Sequence, residues 1–166
     1  VELNKGKKAM FALGYNITDN LVIEGYGDFN AMPNGDTYTG QAFLGYQSDA
    51  LNVGALYSYQ EREIGAIERD LELISLFSNF RINNKAKAFL RADHLFAPYL
   101  GGDGNDYIPF DPTADESTFF VGGVDVLLAD QVHLIPNLEA ILYGDSLTEI
   151  EPKPDLIPRL TLFYQF

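Results

Sequence analysis

Polar and apolar positions alternate with a period of two along most of the chain, and helical spacing is scarce. From Lys8 to Thr18, one set reads Ala9, Phe11, Leu13, Tyr15, Ile17. The other reads Lys8, Met10, Ala12, Gly14, Asn16, Thr18. The first set is apolar and the second is small or polar. Alternation of this kind puts a different environment on each face of a β-strand. After Thr18-Asp19-Asn20, a second run sets Leu21, Ile23, Gly25, Gly27 and Phe29 against Glu24, Tyr26 and Asp28. Tyr38–Tyr46 and Leu51–Gln60 repeat the unit, as do Leu73–Ile82 and Lys87–Phe96. Ser117–Ala129, Val132–Tyr143 and Ile157–Phe166 complete it, so the pattern predicts nine strands. The alternation is less regular in the fifth, seventh and eighth.

The links between these runs alternate in length. Thr18–Asn20, Ser48–Ala50, Asn83–Lys85 and Asp130–Gln131 are short; Asn30–Thr37, Arg62–Asp70, Ala97–Glu116 and Gly144–Leu156 are long. Strict alternation puts every short turn at one end of an up-and-down meander, as in barrels of outer membranes. The aromatics give an independent indication. With each apolar set facing outward, Tyr15, Tyr46, Phe80, Tyr164 and Phe166 fall near the short-turn end. Phe29, Tyr38, Tyr59, Phe96 and Phe120 fall near the long-loop end. Two rings at opposite rims match the two membrane–water interfaces. A soluble sandwich would concentrate its aromatics at mid-strand.

Composition narrows the reading further. The 166 residues are 46% hydrophobic and 13% aromatic, too rich for a disordered acidic tail. Acidic residues outnumber basic ones 24 to 11, for a net charge of −13. Nucleic-acid phosphates would be repelled, so no nucleic-acid partner is expected. Cysteine is absent, which removes disulfides, thiolate metal sites and a Cys nucleophile. No 18-residue apolar run exists, which excludes a membrane-spanning helix in this sequence but not a barrel. The fold class predicted is all-β, an antiparallel up-and-down transmembrane β-barrel, with residues 1–166 as one barrel domain. Hydrocarbon offers no partner to backbone N–H and C=O groups, so the sheet must close. Single-chain bacterial barrels have even strand counts. Nine strands therefore lead us to expect at least one more before Val1, with this chain as the C-terminal part of a longer barrel.

The segment Leu160-Thr161-Leu162-Phe163-Tyr164-Gln165-Phe166 resembles the C-terminal signature of Gram-negative outer-membrane proteins. Leu160, Leu162, Tyr164 and Phe166 carry the match as an assembly signal. The resemblance implies a bacterial outer-membrane location, outer-membrane lipid as the surroundings and the barrel-assembly machinery as a partner during biogenesis. Ala88–His94 and Ile135–Glu139 resemble late strands of porin-like proteins, which implies a channel without fixing its solute.

By parity the inward set carries Lys8, Glu24, Asp28, Arg81, Lys87, Arg91, Asp93, Asp125, Glu139 and Arg159, with Gln41 among its polar members. Unpaired charges in a dry interior would be very costly, so these groups must pair or face water. A water-filled lumen with charged walls is one outcome and a salt-bridged closed interior is the other. Arg91 and Asp93 sit two apart on one face, so pairing across the lumen or with Arg81 is expected. The long links are acidic, from Glu61, Glu63, Glu68 and Asp70 to Asp145, Glu149, Glu151 and Asp155. They read as a solvated rim, as a lure for cations or as a contact surface. Asp103-Gly104-Asn105-Asp106 looks calcium-like but lacks the spacing and terminal Glu of an EF-hand loop, so no metal site is assigned. The link Ala97–Glu116 can fold inward as a constriction, lie across the mouth or pack on neighbouring loops. His94 points outward, Asp93 inward, and His133 stands alone near a short turn. No GxSxG, HExxH or phosphate-binding glycine loop is present. No enzymatic activity and no cofactor are expected. The expected function is passive diffusion of small hydrophilic solutes. The alternative is a non-conducting barrel serving as a structural or surface-interaction protein, with a second copy or another envelope protein on its acidic loops.

Overall fold

The computed structural model describes residues 6–31, 35–64, 67–99 and 110–165. Among them lie nine strands: β1 Lys7–Asn16, β2 Leu21–Ala31, β3 Thr37–Gln47, β4 Leu51–Ile64, β5 Ile67–Asn83, β6 Ala86–Leu95, β7 Ser117–Ala129, β8 Val132–Tyr143 and β9 Asp155–Tyr164. Each strand pairs antiparallel with the next in one sheet of order β1 to β9. The sheet is open. β1 and β9 run in the same direction, each with one unpaired edge.

The register holds one parity set on one face from end to end. The outward row Leu13, Gly25, Ala42, Tyr57, Ile74 is directly opposed strand by strand, as is the inward row Glu24, Phe43, Leu56, Ser75, Asp93. The buried side chains Ser75, Ser117, Phe119, Glu139 and Ile141 all belong to the inward set, so that face is concave. The outward set stays exposed, with Phe11, Tyr15, Leu44, Leu76, Leu90 and Leu160 all bare. A water-exposed sheet of this size would not leave such a continuous apolar surface. Between the rims, outward positions carry no charge among the described residues. Outward charges begin only at the long-loop end, with Lys7, Glu61, Asp70 and Glu72. From Tyr38 to Tyr46 the outward face of β3 spans about 26 Å along the strand. At the usual tilt that is a band about 20 Å high, near the apolar height of outer-membrane barrels.

Side-chain oxygens build the short turns. Thr18 Oγ1 accepts from the N–H groups of Asn20 (3.2 Å) and Leu21 (3.1 Å). Ser48 Oγ accepts from Leu51 N at 3.1 Å, and Asn83 Oδ1 accepts from Lys85 N at 2.8 Å. At the fourth turn Gln131 adopts φ 65° beside a register shift at Leu127/Ala129. A glycine fits that left-handed position without strain. Gln131→Gly is therefore expected to stabilise the fold by about 0.5–1 kcal/mol, read as a higher urea midpoint in lipid vesicles.

One expected long link is largely strand. β4 runs to Ile64 and β5 starts at Ile67, so most of Arg62–Asp70 is a hairpin extension beyond the apolar band rather than a loop. Glu61 faces Asp70 and Arg62 faces Arg69 across it. Both faces there are charged, so the pairing persists without the polarity contrast that reveals a strand. The irregular alternation in β7 and β8 also has a local cause. Pairing lapses between Gly123↔Asn137 and Val126↔Leu134, opposite Pro136, which has no N–H to give.

Candidate functional site

The concave face carries the candidate chemistry, and register sorts it into connected groups. Across β1 and β2, Lys8 Nζ lies 3.1 Å from Asp28 Oδ2, and Tyr26 Oη donates to the same oxygen at 2.6 Å. Asp28, Thr39 and Gln60 are direct cross-strand neighbours. Gln60 Nε2 donates to Thr39 Oγ1 at 2.8 Å, and Arg62 Nε donates to Gln60 Oε1. Gln41 Nε2 reaches Ser58 Oγ at 3.3 Å, the next rung down. Glu24 faces the same side, its carboxylate over Gly14.

A second group lies across β6 to β9. Arg91 Nε sits 2.9 and 2.8 Å from the two oxygens of Asp93, so this pair closes along its own strand rather than across the lumen or with Arg81. Arg159 Nε lies 2.9 Å from Glu139 Oε2, an ion pair set off the line of a hydrogen bond. Glu139 is nearly enclosed, its side chain 7% exposed, close to the 6% of Asp28. His133 is not alone. Its ring faces inward, with Nδ1 2.6 Å from Asp125 Oδ1, because the turn at Asp130–Gln131 brings β8 back against β7. Arg81 and Lys87 are directly opposite each other near the short-turn end, and Asp125 is opposite Lys87. Every inward residue expected from parity is on the concave face, but they form several clusters spread along the wall.

The link before β7 turns toward this face. Phe110 packs on inward Phe119 with ring centroids 6.4 Å apart, and Asp111 N donates to the hydroxyl of inward Tyr143 at 3.2 Å. Ala114 pairs with Ser146 of the following long link and is fully buried. In this segment Phe110 and Asp111 touch the concave face, while Thr113–Glu116 pack on the following long link; residues 100–109 lie outside the described residues. Thr113 gives Asp111 two hydrogen bonds, from its hydroxyl at 2.6 Å and its N–H at 2.8 Å, which hold that carboxyl below the ordinary range. The calcium-like Asp103–Asp106 run lies outside the described residues.

Several inward residues escape a reading by charge alone. Phe43 lies over Gly45, where an added Cβ would come within 2.8 Å of the ring, and Phe77 lies over Gly54. Gly45 and Gly54 are direct cross-strand partners. The two rings are therefore parallel to within 7°, with centroids 6.1 Å apart, side by side on the wall. Phe89 reaches Gly123 as well, where an added Cβ would meet its ring at 2.8 Å beside Pro136 O and Asn137 Cβ. The signal was present in sequence: an aromatic on inward parity with a glycine two residues along or one strand over.

Outside, His94 faces outward as parity requires, with Nδ1 2.8 Å from Thr118 Oγ1 and Nε2 3.7 Å from Glu116. Leu160, Leu162 and Tyr164 lie on the outward face of β9 and are 70%, 67% and 56% exposed. Phe166, the last member of that signature, lies outside the described residues. Among the described residues, no group of three His, Asp or Glu side chains is placed to hold a metal ion.

No protein-family model matches the chain, and no curated protein matches it. Its structure is similar to that of outer-membrane expressed OmpT of Vibrio cholerae, with a TM-score of 0.62 and 14% identity. The match covers 95% of this chain and 54% of that one, so the chain spans about half the length of its structural neighbour. At this identity the likeness is one of fold. The architecture is an all-β, antiparallel, up-and-down sheet of the outer-membrane β-barrel kind.

Proposed function

We propose that the chain forms half of a water-filled barrel in a bacterial outer membrane, through which small hydrophilic solutes diffuse passively. The observation that carries this reading is the division of the sheet into two faces. One is apolar and exposed between two aromatic belts, and the other bears ion pairs and amides along its length. A bilayer on one side and water on the other account for both at once. Because β1 and β9 run the same way, antiparallel closure needs an odd number of further strands between their free edges. Nine strands in about half of a barrel chain put the closed count near 16–18, the size that leaves an aqueous channel. Inward charges such as Arg91, Asp93, Arg81 and Lys87 would bias which ions enter. Leu160, Leu162, Tyr164 and Phe166 would guide assembly into the membrane.

A second reading, a non-conducting barrel that meets partners through its acidic loops, is favoured by Phe110 seated on Phe119 inside the concavity. Recording from the full-length protein in planar bilayers separates the two. Discrete conductance steps are expected for the channel, and silence at all voltages would refute it.

A further inference from the structure

Near the short-turn end the concave wall changes character over a short distance. β5 presents Phe77, Asn79 and Arg81 at successive inward positions, about 6.7 Å apart along the strand. Phe77 and Phe43 together make a flat apolar shelf, each ring resting on a glycine with its other face toward the lumen. Directly beside the shelf runs a row of amides. Gln47, Asn52 and Asn79 are cross-strand partners in one register line. Beyond the amides stand Arg81 and Lys87, opposite each other on β5 and β6.

That last pair is unusual. Like charges directly opposite in a sheet repel. In a chain with 24 acidic and 11 basic side chains, partners of opposite sign are abundant. Yet among the described residues no carboxylate lies within ion-pair distance of either cation. Asp125, the inward carboxylate opposite Lys87, is engaged by His133 at 2.6 Å. Asp49 borders the same hollow from the β3–β4 turn. Two adjoining hollows of about 450 Å³ each follow this arrangement. One holds the Phe43–Phe77 shelf and the other holds Arg81 and Lys87, and the three amides line both.

We propose that this stretch of wall is a binding station for short acidic saccharides, seating a sugar ring on the Phe43–Phe77 shelf and its anionic group between Arg81 and Lys87. The apolar C–H face of a sugar ring suits a flat aromatic surface. The hydroxyls need a dense set of donors and acceptors, which amides supply on a short spacing. Arg81 offers a planar fork suited to a carboxylate or phosphate, and Lys87 adds a point charge. The distance from shelf to cations matches a solute about two sugar rings long. The station rests on the reading of the concave face as a lumen, and it names the solute class that would be slowed there.

The test uses the full-length protein folded in detergent and in planar bilayers. Four probes are compared: trehalose 6-phosphate, digalacturonate, trehalose and inorganic phosphate. The two anionic saccharides are expected to bind by calorimetry and to interrupt the ionic current at least 10-fold more strongly than either control. Which of the two binds tighter identifies phosphate or carboxylate as the anion. Phe77→Leu and the double variant Arg81→Gln/Lys87→Gln are each expected to weaken both anionic saccharides at least 5-fold, while Thr161→Ser, on the inward face of β9 outside the hollows, leaves binding as it was. Folding of each variant is checked by its heat-dependent gel mobility. Conductance steps with no preference for the anionic saccharides overturn the station and leave the channel standing. Calorimetric binding without conductance supports the station and refutes the channel. Equal action of inorganic phosphate alone also overturns it, since the shelf would then contribute nothing.

Discussion

Leu44→Arg is expected to destabilise the folded protein by about 1–3 kcal/mol, while Gln41→Arg, three residues away on the same strand, is tolerated. Leu44 lies on the outward face of β3, 46% exposed, between Tyr38 and Tyr46 at the two rims. A guanidinium there must stay in hydrocarbon or distort the bilayer to reach water. Gln41 lies on the concave face against Ser58, where a longer cation meets polar neighbours and water. Urea titration in lipid vesicles reads the stability of both. Ion selectivity in bilayers should shift toward anions for Gln41→Arg. Equal tolerance at the two sites would show that both faces meet the same solvent.

Arg159→Leu is expected to cost about 3 kcal/mol, because it leaves the enclosed Glu139 carboxylate without its cation. The figure lies toward the lower end for buried pairs, since the Arg159 side chain retains 26% exposure. Adding Glu139→Leu should recover most of the loss, as an apolar pair of similar volume removes the stranded charge. The same vesicle titration measures the cycle. If the single variant matched the native protein, Glu139 would have to be neutral or hydrated in place.

The barrel-like sheet was legible because its two faces differ in polarity, and period-two alternation records the difference. Phe29 and Tyr38, paired across β2 and β3 with rings 4.9 Å apart, mark the long-loop belt from sequence alone. The pattern failed where the polarity contrast failed. Beyond the apolar band both faces of β4 and β5 are polar, so Glu61, Arg62, Arg69 and Asp70 look like a loop although they pair as strands. The inward charges were legible by parity as a set, since a side chain's face follows from its position in the alternation. Their partners were not, because pairing depends on register between strands. His133 on Asp125 and Arg159 on Glu139 come from such registers. The Phe43–Phe77 shelf was hidden for another reason. An inward aromatic reads as a defect in a polar face until the glycines beneath it are placed opposite each other.

These 166 residues contain no cysteine, so once any cysteine elsewhere in the full-length protein is replaced by serine, single cysteines bearing a nitroxide can be placed at each position from Tyr38 to Leu44 in lipid vesicles. Electron paramagnetic resonance then compares access to oxygen, which partitions into lipid, with access to a water-soluble nickel chelate. Oxygen access is expected to peak at positions 38, 40, 42 and 44, and nickel access at 39, 41 and 43. Nickel access equal at neighbouring positions, or a profile without the two-residue period, would contradict a sheet with lipid on one face and water on the other.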